Sequence, residues 1–312
     1  MVVSITAETA AEAYAEMIPR IRTYGVKEDS RNGPVLAFQD PVVLTILNPR
    51  ARLVLDATRK ANPVFHLMES VWMLAGRKDV DFPARYVKNI KKYANGGELL
   101  GAYGWRWRHN PLEDQLLSVI RVLKDDPTSR QAVISMWDPD WDLGVEVKSN
   151  DRPCNTHIYL RVQDGALNMT VCNRSNDVIW GMLGANVVHM TILQEFLAWA
   201  LDLELGRYTV FSNNAHFYLE MPRAEEILHS NPSQYDTATC APMFGPNDDL
   251  SVEVFLRDCE NFCEGRDTLF ATDYLLTCRA VHRTHRDDVL HDIPCPGWAE
   301  AVRMWMSARH AK

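Results

Sequence analysis

Two runs of alternating residues, THIYLRVQ from Thr156 and ALNMTVCN ending at Asn173, flank the dipeptide Asp164-Gly165. Alternation with a period of two marks half-buried strands, and Asp-Gly supplies the backbone freedom that a tight hairpin turn requires. A hairpin at this point commits the centre of the chain to an antiparallel or mixed sheet. Further strand-like runs are VLAFQ, VVLTIL, ARLVLD, QAVISMW and Tyr208 to Tyr218, the last with a polar middle, SNNAH. Helical spacing of apolar residues covers about Ala7 to Ile21, Val64 to Ala75, Leu116 to Lys124 and His189 to Leu203. Arg77 to Tyr93 is charged and also reads as helical, and NGGELLGAYG is a glycine-bearing turn. From Pro222 the chain mixes a short helix, a Pro/Asn loop and an acidic helical stretch. There is no repeat, low-complexity tract or linker. The expectation is one α+β domain over residues 1–312, with its sheet backed by several helices.

Composition narrows the function. At 312 residues and 46% hydrophobic, the chain can bury a large core. Its 33 basic and 41 acidic residues give a net charge of -8. Binding along a nucleic-acid polymer depends on many Lys and Arg neutralising phosphates, so this balance argues against such a partner but permits one local basic pocket. The seven cysteines include no CxxC pair, which argues against a structural zinc site or any other bound metal. Reduced thiols, most of them packed in the core, are expected of a cytoplasmic protein. The opening TAETAAEAYAEMIPRI reads as an amphipathic helix rather than a secretory leader. No apolar run approaches the roughly 18 residues of a membrane span.

Chemistry concentrates between Pro153 and Asn186. Cys154 follows a proline at a loop-to-strand junction, where a neighbouring cation would raise its thiolate fraction. A small buried residue is the plainer role for a cysteine. Arg31, Arg130, Arg174 and Ser175 lie at element ends; guanidinium forks and a hydroxyl suit a phosphate dianion, though solvated surface arginines look the same in sequence. Glu69 is the lone carboxylate in a buried helical stripe, where desolvation should raise its pKa and let it relay protons, unless it turns to solvent. Asn186, among apolar neighbours, offers a donor and an acceptor that match a pyrimidine edge or serve a helix cap. His216 and Tyr218 share one strand face and suit a ribose, or simple packing.

In order and spacing, SRNG, HLMESVWML, GAYGWRW, DPTSRQAVISMWD, PCNTHIYL, NRSND, GAN and NNAHFYL resemble the thymidylate synthase superfamily of folate-dependent pyrimidine nucleotide C5-transferases. The resemblance covers roughly residues 20 to 220 and fades after about 225. It implies the synthase fold with a sheet-mediated two-fold homodimer. It implies as substrates a nucleotide and 5,10-methylenetetrahydrofolate. By the same resemblance Cys154 is the nucleophile that adds to C6 of the base, Glu69 the proton-relay carboxylate and Tyr103 a member of its water network. Arg31, Arg174 and Ser175 correspond to phosphate ligands, with Arg130 donated by the partner subunit. Asp177 and Gly181 correspond to the folate contacts, Asn186 to the base reader, and His216 and Tyr218 to the ligands of the sugar 3′-hydroxyl.

The departures from the family pattern carry information. Asn155 replaces the histidine that usually follows the nucleophile, and Gln131 replaces the second cross-dimer arginine. Whether another base, such as Lys148 or Arg152, compensates for Gln131 is left open by the sequence. The tryptophans expected between the Glu69 helix and the GAYG turn are absent, with Ile90 and Tyr93 falling about there. In synthases that indole shields the exocyclic methylene until hydride arrives, so its loss would admit water. The chain ends in SARHAK rather than a short apolar capping segment. These changes resemble the nucleotide hydroxymethylase branch, known from bacteriophages and nucleoside antibiotic pathways. Asn186 favours uracil, since deoxycytidylate hydroxymethylases commonly carry Asp there; dUMP is expected first and dCMP or CMP next. The alternatives are a divergent thymidylate synthase and a catalytically inactive nucleotide- or RNA-binding homologue.

Overall fold

The computed structural model describes residues 3–109, 113–144, 151–235, 240, 242–244, 251–268, 273–284, 290–293 and 295–310. Among the described residues, ten strands form two sheets. The strands are β1 (Val3–Ala7), β2 (Val26–Ser30), β3 (Gly33–Ala37), β4 (Val42–Ile46), β5 (Val133–Ser135), β6 (Asn155–Gln163), β7 (Ala166–Asn173), β8 (Asn176–Asp177), β9 (Glu204–Ser212) and β10 (Ala215–Tyr218). The helices are α1 (Ala10–Tyr24), α2 (Pro63–Leu74), α3 (Asp81–Ala84), α4 (Tyr103–Arg108), α5 (Gln115–Asp125) and α6 (Pro139–Asp142). They continue with α7 (Asn186–Leu201), α8 (Ala224–Ile227), α9 (Val252–Glu264), α10 (Asp273–Thr284) and α11 (Pro296–His310).

The larger sheet has six strands in the order β1-β4-β9-β7-β6-β5, with both parallel and antiparallel neighbours. The β6–β7 hairpin forms as the alternation requires, turning at Asp164 and Gly165, both with positive φ. The smaller sheet runs β2-β3-β10-β8. The architecture is therefore the expected α+β arrangement of mixed sheets backed by helices. Buried residues from Ile5 to Met306 belong to one hydrophobic cluster.

Helices α2 and α7 cross the centre of that core and pack on each other. Both are apolar nearly all round, as a fully enclosed helix must be. Asn62 caps α2, its Oδ1 accepting from Phe65 N at 3.0 Å, and Pro63 sits at the first helical position, where its missing N–H costs nothing. The helices after residue 250 are not a detached tail: α9, α10 and α11 all pack against α2.

Several local expectations are corrected. The N-terminal residues form β1 before α1 begins. ARLVLD is not a strand: Arg52 is buried there against Glu195 of α7, and only Leu55 makes a β-bridge, to Ser233. The charged run 77–93 breaks into α3 and a short 3₁₀ helix, Lys88–Tyr93, with Pro83 inside α3. Tyr208 to Tyr218 is two strands, because the chain bends at residues 213 and 214 and leaves the larger sheet for the smaller one. Among the cysteines, Cys240 and Cys295 form a disulfide, while Cys154, Cys172, Cys259, Cys263 and Cys278 are free. The expectation of uniformly reduced thiols therefore does not hold; the two partners lie 55 positions apart and meet only through the fold of the region after 225. Among the described residues no helix is long and apolar enough to cross a membrane.

Candidate active site

The open end of the β6–β7 hairpin is where the candidate residues meet. Arg174 N donates to Cys154 O at 3.0 Å, extending the ladder by one rung beyond the strands. The Arg174 side chain folds back over the same corner, Nε donating to Pro153 O at 2.9 Å and Nη2 to Arg152 O at 3.2 Å. Its guanidinium also faces the Trp137 ring at 5.8 Å. These residues border a cavity of about 580 Å³, within the range of about 300–1,000 Å³ usual for small-molecule sites. Arg31, Tyr103, Cys154, Arg174, Ser175, Asp177, Gly181, Asn186, His216 and Tyr218 all line it.

Cys154 is half-buried. Burial pushes its thiol up, the Arg174 cation pulls it down, nearby Asp151 raises it, and Arg31 lowers it, with a net upward result. The Tyr103 hydroxyl receives backbone hydrogen bonds from Asn155 and Cys154, and burial holds its ionisation far above the usual phenol range. A neutral hydroxyl thus sits beside the Cys154 thiol, able to donate to a bound molecule. Tyr103 reaches this point because α4 presses onto the end of α2. A Cβ on Gly104 would lie 2.0 Å from Met73 O, so only glycine allows that approach.

The segment after Arg174 forms the opposite wall. Asp177 Oδ1 caps the next turn, accepting from Ile179 N at 2.6 Å and Trp180 N at 2.7 Å. Its Oδ2 is buried with no hydrogen-bond partner, an acceptor held ready for a donor on a bound molecule. Burial raises the Asp177 carboxyl to about 6, against the pull of those backbone N–H groups and of Arg59. Arg59 is 3% exposed and spans the π-helical turn Val178–Ala185, Nη2 donating to Ile179 O at 2.5 Å and Leu183 O at 2.9 Å. The backbone leaves helical geometry at Leu183 and Gly184, and Asn186 follows that kink at the head of α7. Asn186 Nδ2 donates to Asn176 Oδ1 at 3.1 Å.

A polar cluster lies on β10 and its neighbours. His216 Nδ1 is 2.8 Å from Asn214 Oδ1, which also accepts from Ser175 Oγ at 3.3 Å. An amide oxygen only accepts, so His216 carries its proton on Nδ1 and leaves Nε2 as an acceptor. Burial lowers the His216 pKa, which keeps the ring neutral at pH 7. Tyr218 meets His216 edge to face at 4.9 Å, and its hydroxyl accepts from Asn32 Nδ2 at 3.3 Å. A neutral acceptor beside a phenol suits a sugar hydroxyl.

Glu69 and Arg130 are not among the residues lining this cavity. Glu69 lies on α2 with its side chain 12% exposed, Oε2 at 3.1 Å from Nε2 of buried His189 on α7. Its charge is felt by Asp151, which in turn acts on Cys154. Arg130 is exposed, just before β5. Asn155 turns away into the core, its Oδ1 accepting from Asn173 Nδ2. Arg152 lines the cavity, whereas Lys148 lies outside the described residues. Trp137, Asn176 and Asn214 also line it and went unrecognised in the sequence. Asn176 and Asn214 stand inside the NRSND and SNNAH motifs, so the signal for them was their polar company on a strand end. No cluster of three or more His, Cys, Asp or Glu able to hold a metal occurs among the described residues.

Comparison with known proteins adds an independent finding. The thymidylate synthase family model matches residues 12–244. The chain is 46% identical over 243 residues to a deoxyuridylate hydroxymethyltransferase of Pseudomonas phage M6, covering 77% of this chain and 67% of that protein. A protein of the same name from Bacillus phage SP01 is 37% identical over 192 residues, which covers 58% of this chain and only 50% of that protein. A third, from Delftia phage PhiW-14, is 31% identical over 259 residues, 79% of this chain and 68% of that protein.

Proposed function

The chain belongs to the thymidylate synthase family, and on that premise we propose that it is a folate-dependent pyrimidine nucleoside monophosphate 5-hydroxymethylase, with dUMP the favoured substrate and dCMP or CMP next. The observation that carries this reading is the single cavity in which Cys154 and Arg174 face Asp177 and Asn186. The names of the phage relatives support the same reaction.

In this reading the Cys154 thiolate bonds to C6 of the base, which makes C5 nucleophilic. C5 takes the methylene of 5,10-methylenetetrahydrofolate and loses its proton, and tetrahydrofolate departs. Water then adds to the exocyclic methylene, the C6–sulfur bond breaks, and the 5-hydroxymethyl nucleotide leaves. Arg31, Arg174 and Ser175 grip the phosphate, His216 and Tyr218 the sugar hydroxyl, and Asn186 the base edge. Asp177 offers its orphaned Oδ2 to an N–H of the pterin, with Gly181 alongside. Glu69 relays protons through water with Tyr103. Among the described residues that line the cavity the one tryptophan is Trp137, and Ile90 and Tyr93 are not part of the lining, which supports entry of water to the methylene.

We read the chain as one catalytic unit, since the helices after residue 250 pack on the helix that carries Glu69. We further read it as a homodimer that supplies Arg130 to the partner's phosphate site, because Arg130 is exposed and does not reach its own cavity. A cytoplasmic setting fits the small-molecule substrates and the free Cys154, and the Cys240–Cys295 disulfide stands against it.

The test is mass spectrometry of products from a mixture of dUMP, dCMP, UMP and CMP with methylenetetrahydrofolate. A 5-hydroxymethyl nucleotide without dihydrofolate is expected. A 5-methyl product with stoichiometric dihydrofolate would make the protein a thymidylate synthase, and no product would leave a nucleotide-binding homologue.

A further inference from the structure

We propose that Asn176 is a specificity-determining residue that fixes the orientation of the Asn186 amide and so sets the choice between uracil and cytosine. This deepens the reading above and rests on Asn186 meeting the base edge.

The two ends of an amide side chain are nearly equal in size, so an unrestrained Asn turns over to suit whichever base arrives. Asn186 is restrained. Its Nδ2 donates to Asn176 Oδ1 at 3.1 Å. Asn176 is itself immobile: it is 3% exposed, lies on β8 in register with Ala215 of β10, and its backbone N donates to Asn214 O at 2.8 Å. With one Nδ2 hydrogen committed, Asn186 presents its Oδ1 and its remaining N–H in a set order.

Gly181 makes the pairing possible. A Cβ there would stand 2.2 Å from Asn176 Oδ1 and 3.4 Å from Asn186 Nδ2. Any larger residue would push the two amides apart, which gives Gly181 a role in base reading besides any contact with the folate.

The remaining half of Asn176 supplies the direction of the preference. Its Nδ2 is buried without a hydrogen-bond partner in a residue that lines the same cavity. A buried donor without a partner calls for an acceptor on the bound molecule. The uracil O4 has two lone pairs, one for an Asn186 N–H and one for Asn176. The amino group of cytosine would set donor against donor. Sites built to hydrogen-bond one pattern reject the mismatched one strongly, because their own polar groups are then left unpaired.

The experiment measures kcat/KM for dUMP and dCMP in the wild type, Asn176→Ala, Asn176→Asp and Asn186→Ala, with thermal melting as a check on folding. The wild type should prefer dUMP. Asn176→Ala should reduce the dUMP:dCMP ratio at least tenfold by freeing the Asn186 amide. Asn176→Asp keeps the acceptor for Asn186 but replaces the unpaired donor with an acceptor, so it should move the ratio toward dCMP. A purely structural role would lower both substrates alike and leave the ratio in place. If the ratio stays within twofold of wild type in both Asn176 variants while Asn186→Ala changes it, the proposal is wrong and the hydroxymethylase reading stands. If Asn176→Ala does not fold, the isosteric Asn176→Asp decides by the same ratio. A wild type inactive on dUMP and dCMP would overturn this proposal, and the hydroxymethylase reading would fall with it if UMP and CMP were also left unconverted.

Discussion

Arg174 holds Cys154 by the backbone and answers it by charge: its N–H donates to Cys154 O at 3.0 Å, and its guanidinium is the largest influence lowering the thiol pKa. One residue therefore both places the Cys154 thiol and raises its thiolate fraction. Arg174→Ala should raise the Cys154 pKa and weaken nucleotide binding together. Iodoacetamide alkylation of the free enzyme, followed across pH, should shift to higher pH, and the KM for nucleotide should rise by about 10-fold or more from loss of a charge-assisted contact. An unshifted alkylation profile would break the electrostatic link.

Asp151 works in the opposite direction. Its carboxyl accepts from Gly101 N at 2.8 Å, and its charge raises the Cys154 thiol. Asp151→Asn should therefore lower the Cys154 pKa and speed alkylation several-fold at neutral pH. Slower alkylation would contradict that assignment.

Half-buried Glu69 and buried His189 meet at 3.1 Å between α2 and α7. Glu69→Gln keeps the shape and removes the proton-accepting group. It should slow exchange of the C5 hydrogen of the nucleotide by about 10²- to 10⁴-fold while nucleotide affinity changes little. Exchange at the wild-type rate would remove Glu69 from the relay.

Much of this site was legible because its parts flank strands. PCN before β6 and NRSND after β7 fall at the open end of one hairpin, so the Asp164-Gly165 turn alone brings them together. The Tyr208–Tyr218 run showed its polar middle but not its consequence. Nothing local says that two bending residues transfer a strand between sheets, and that transfer is what sets Asn214 beside Ser175 and His216. The Asn176–Asn186 pair was hidden for a similar reason, since it depends on the π-helical turn between them and on Arg59 gripping that turn from a loop far away in sequence. ARLVLD misled because its alternation is that of a strand, whereas the Arg52–Glu195 ion pair decides where the segment lies. Pairing of Cys240 with Cys295 gave no spacing signal at all.

The Asp177 carboxyl, raised from 3.8 to about 6 mainly by burial, predicts a pH-dependent stability effect. A folded-state pKa above the unfolded one means that the folded form holds the proton more tightly. That contribution is complete below about pH 4 and is lost as pH rises through about 6. At pH 7.5 the wild type therefore carries an ionised, partly enclosed carboxylate costing on the order of 2–3 kcal/mol. Asp177→Asn keeps an oxygen for Ile179 N and Trp180 N but cannot ionise. Its Tm should exceed that of the wild type at pH 7.5 and approach it below pH 5, while activity should fall if Asp177 holds the folate as proposed. Equal melting curves at both pH values would show that Asp177 is not strained by its burial.

Arg130 offers a test of the proposed sharing of active-site residues between two subunits. Exposed and outside its own cavity, it is read as acting in the partner. Arg130→Ala and Cys154→Ser should each be strongly impaired as pure proteins. In a mixed dimer, the subunit that keeps Cys154 receives Arg130 from the other, so one of the two sites is intact. Random exchange of equal amounts gives mixed dimers in about half of the molecules and hence about one quarter of wild-type activity. Mixing and incubating the two variants, then assaying product formation, should show that recovery. Activity that only averages the two variants, under conditions where subunit exchange is demonstrated, would place Arg130 outside the catalytic site.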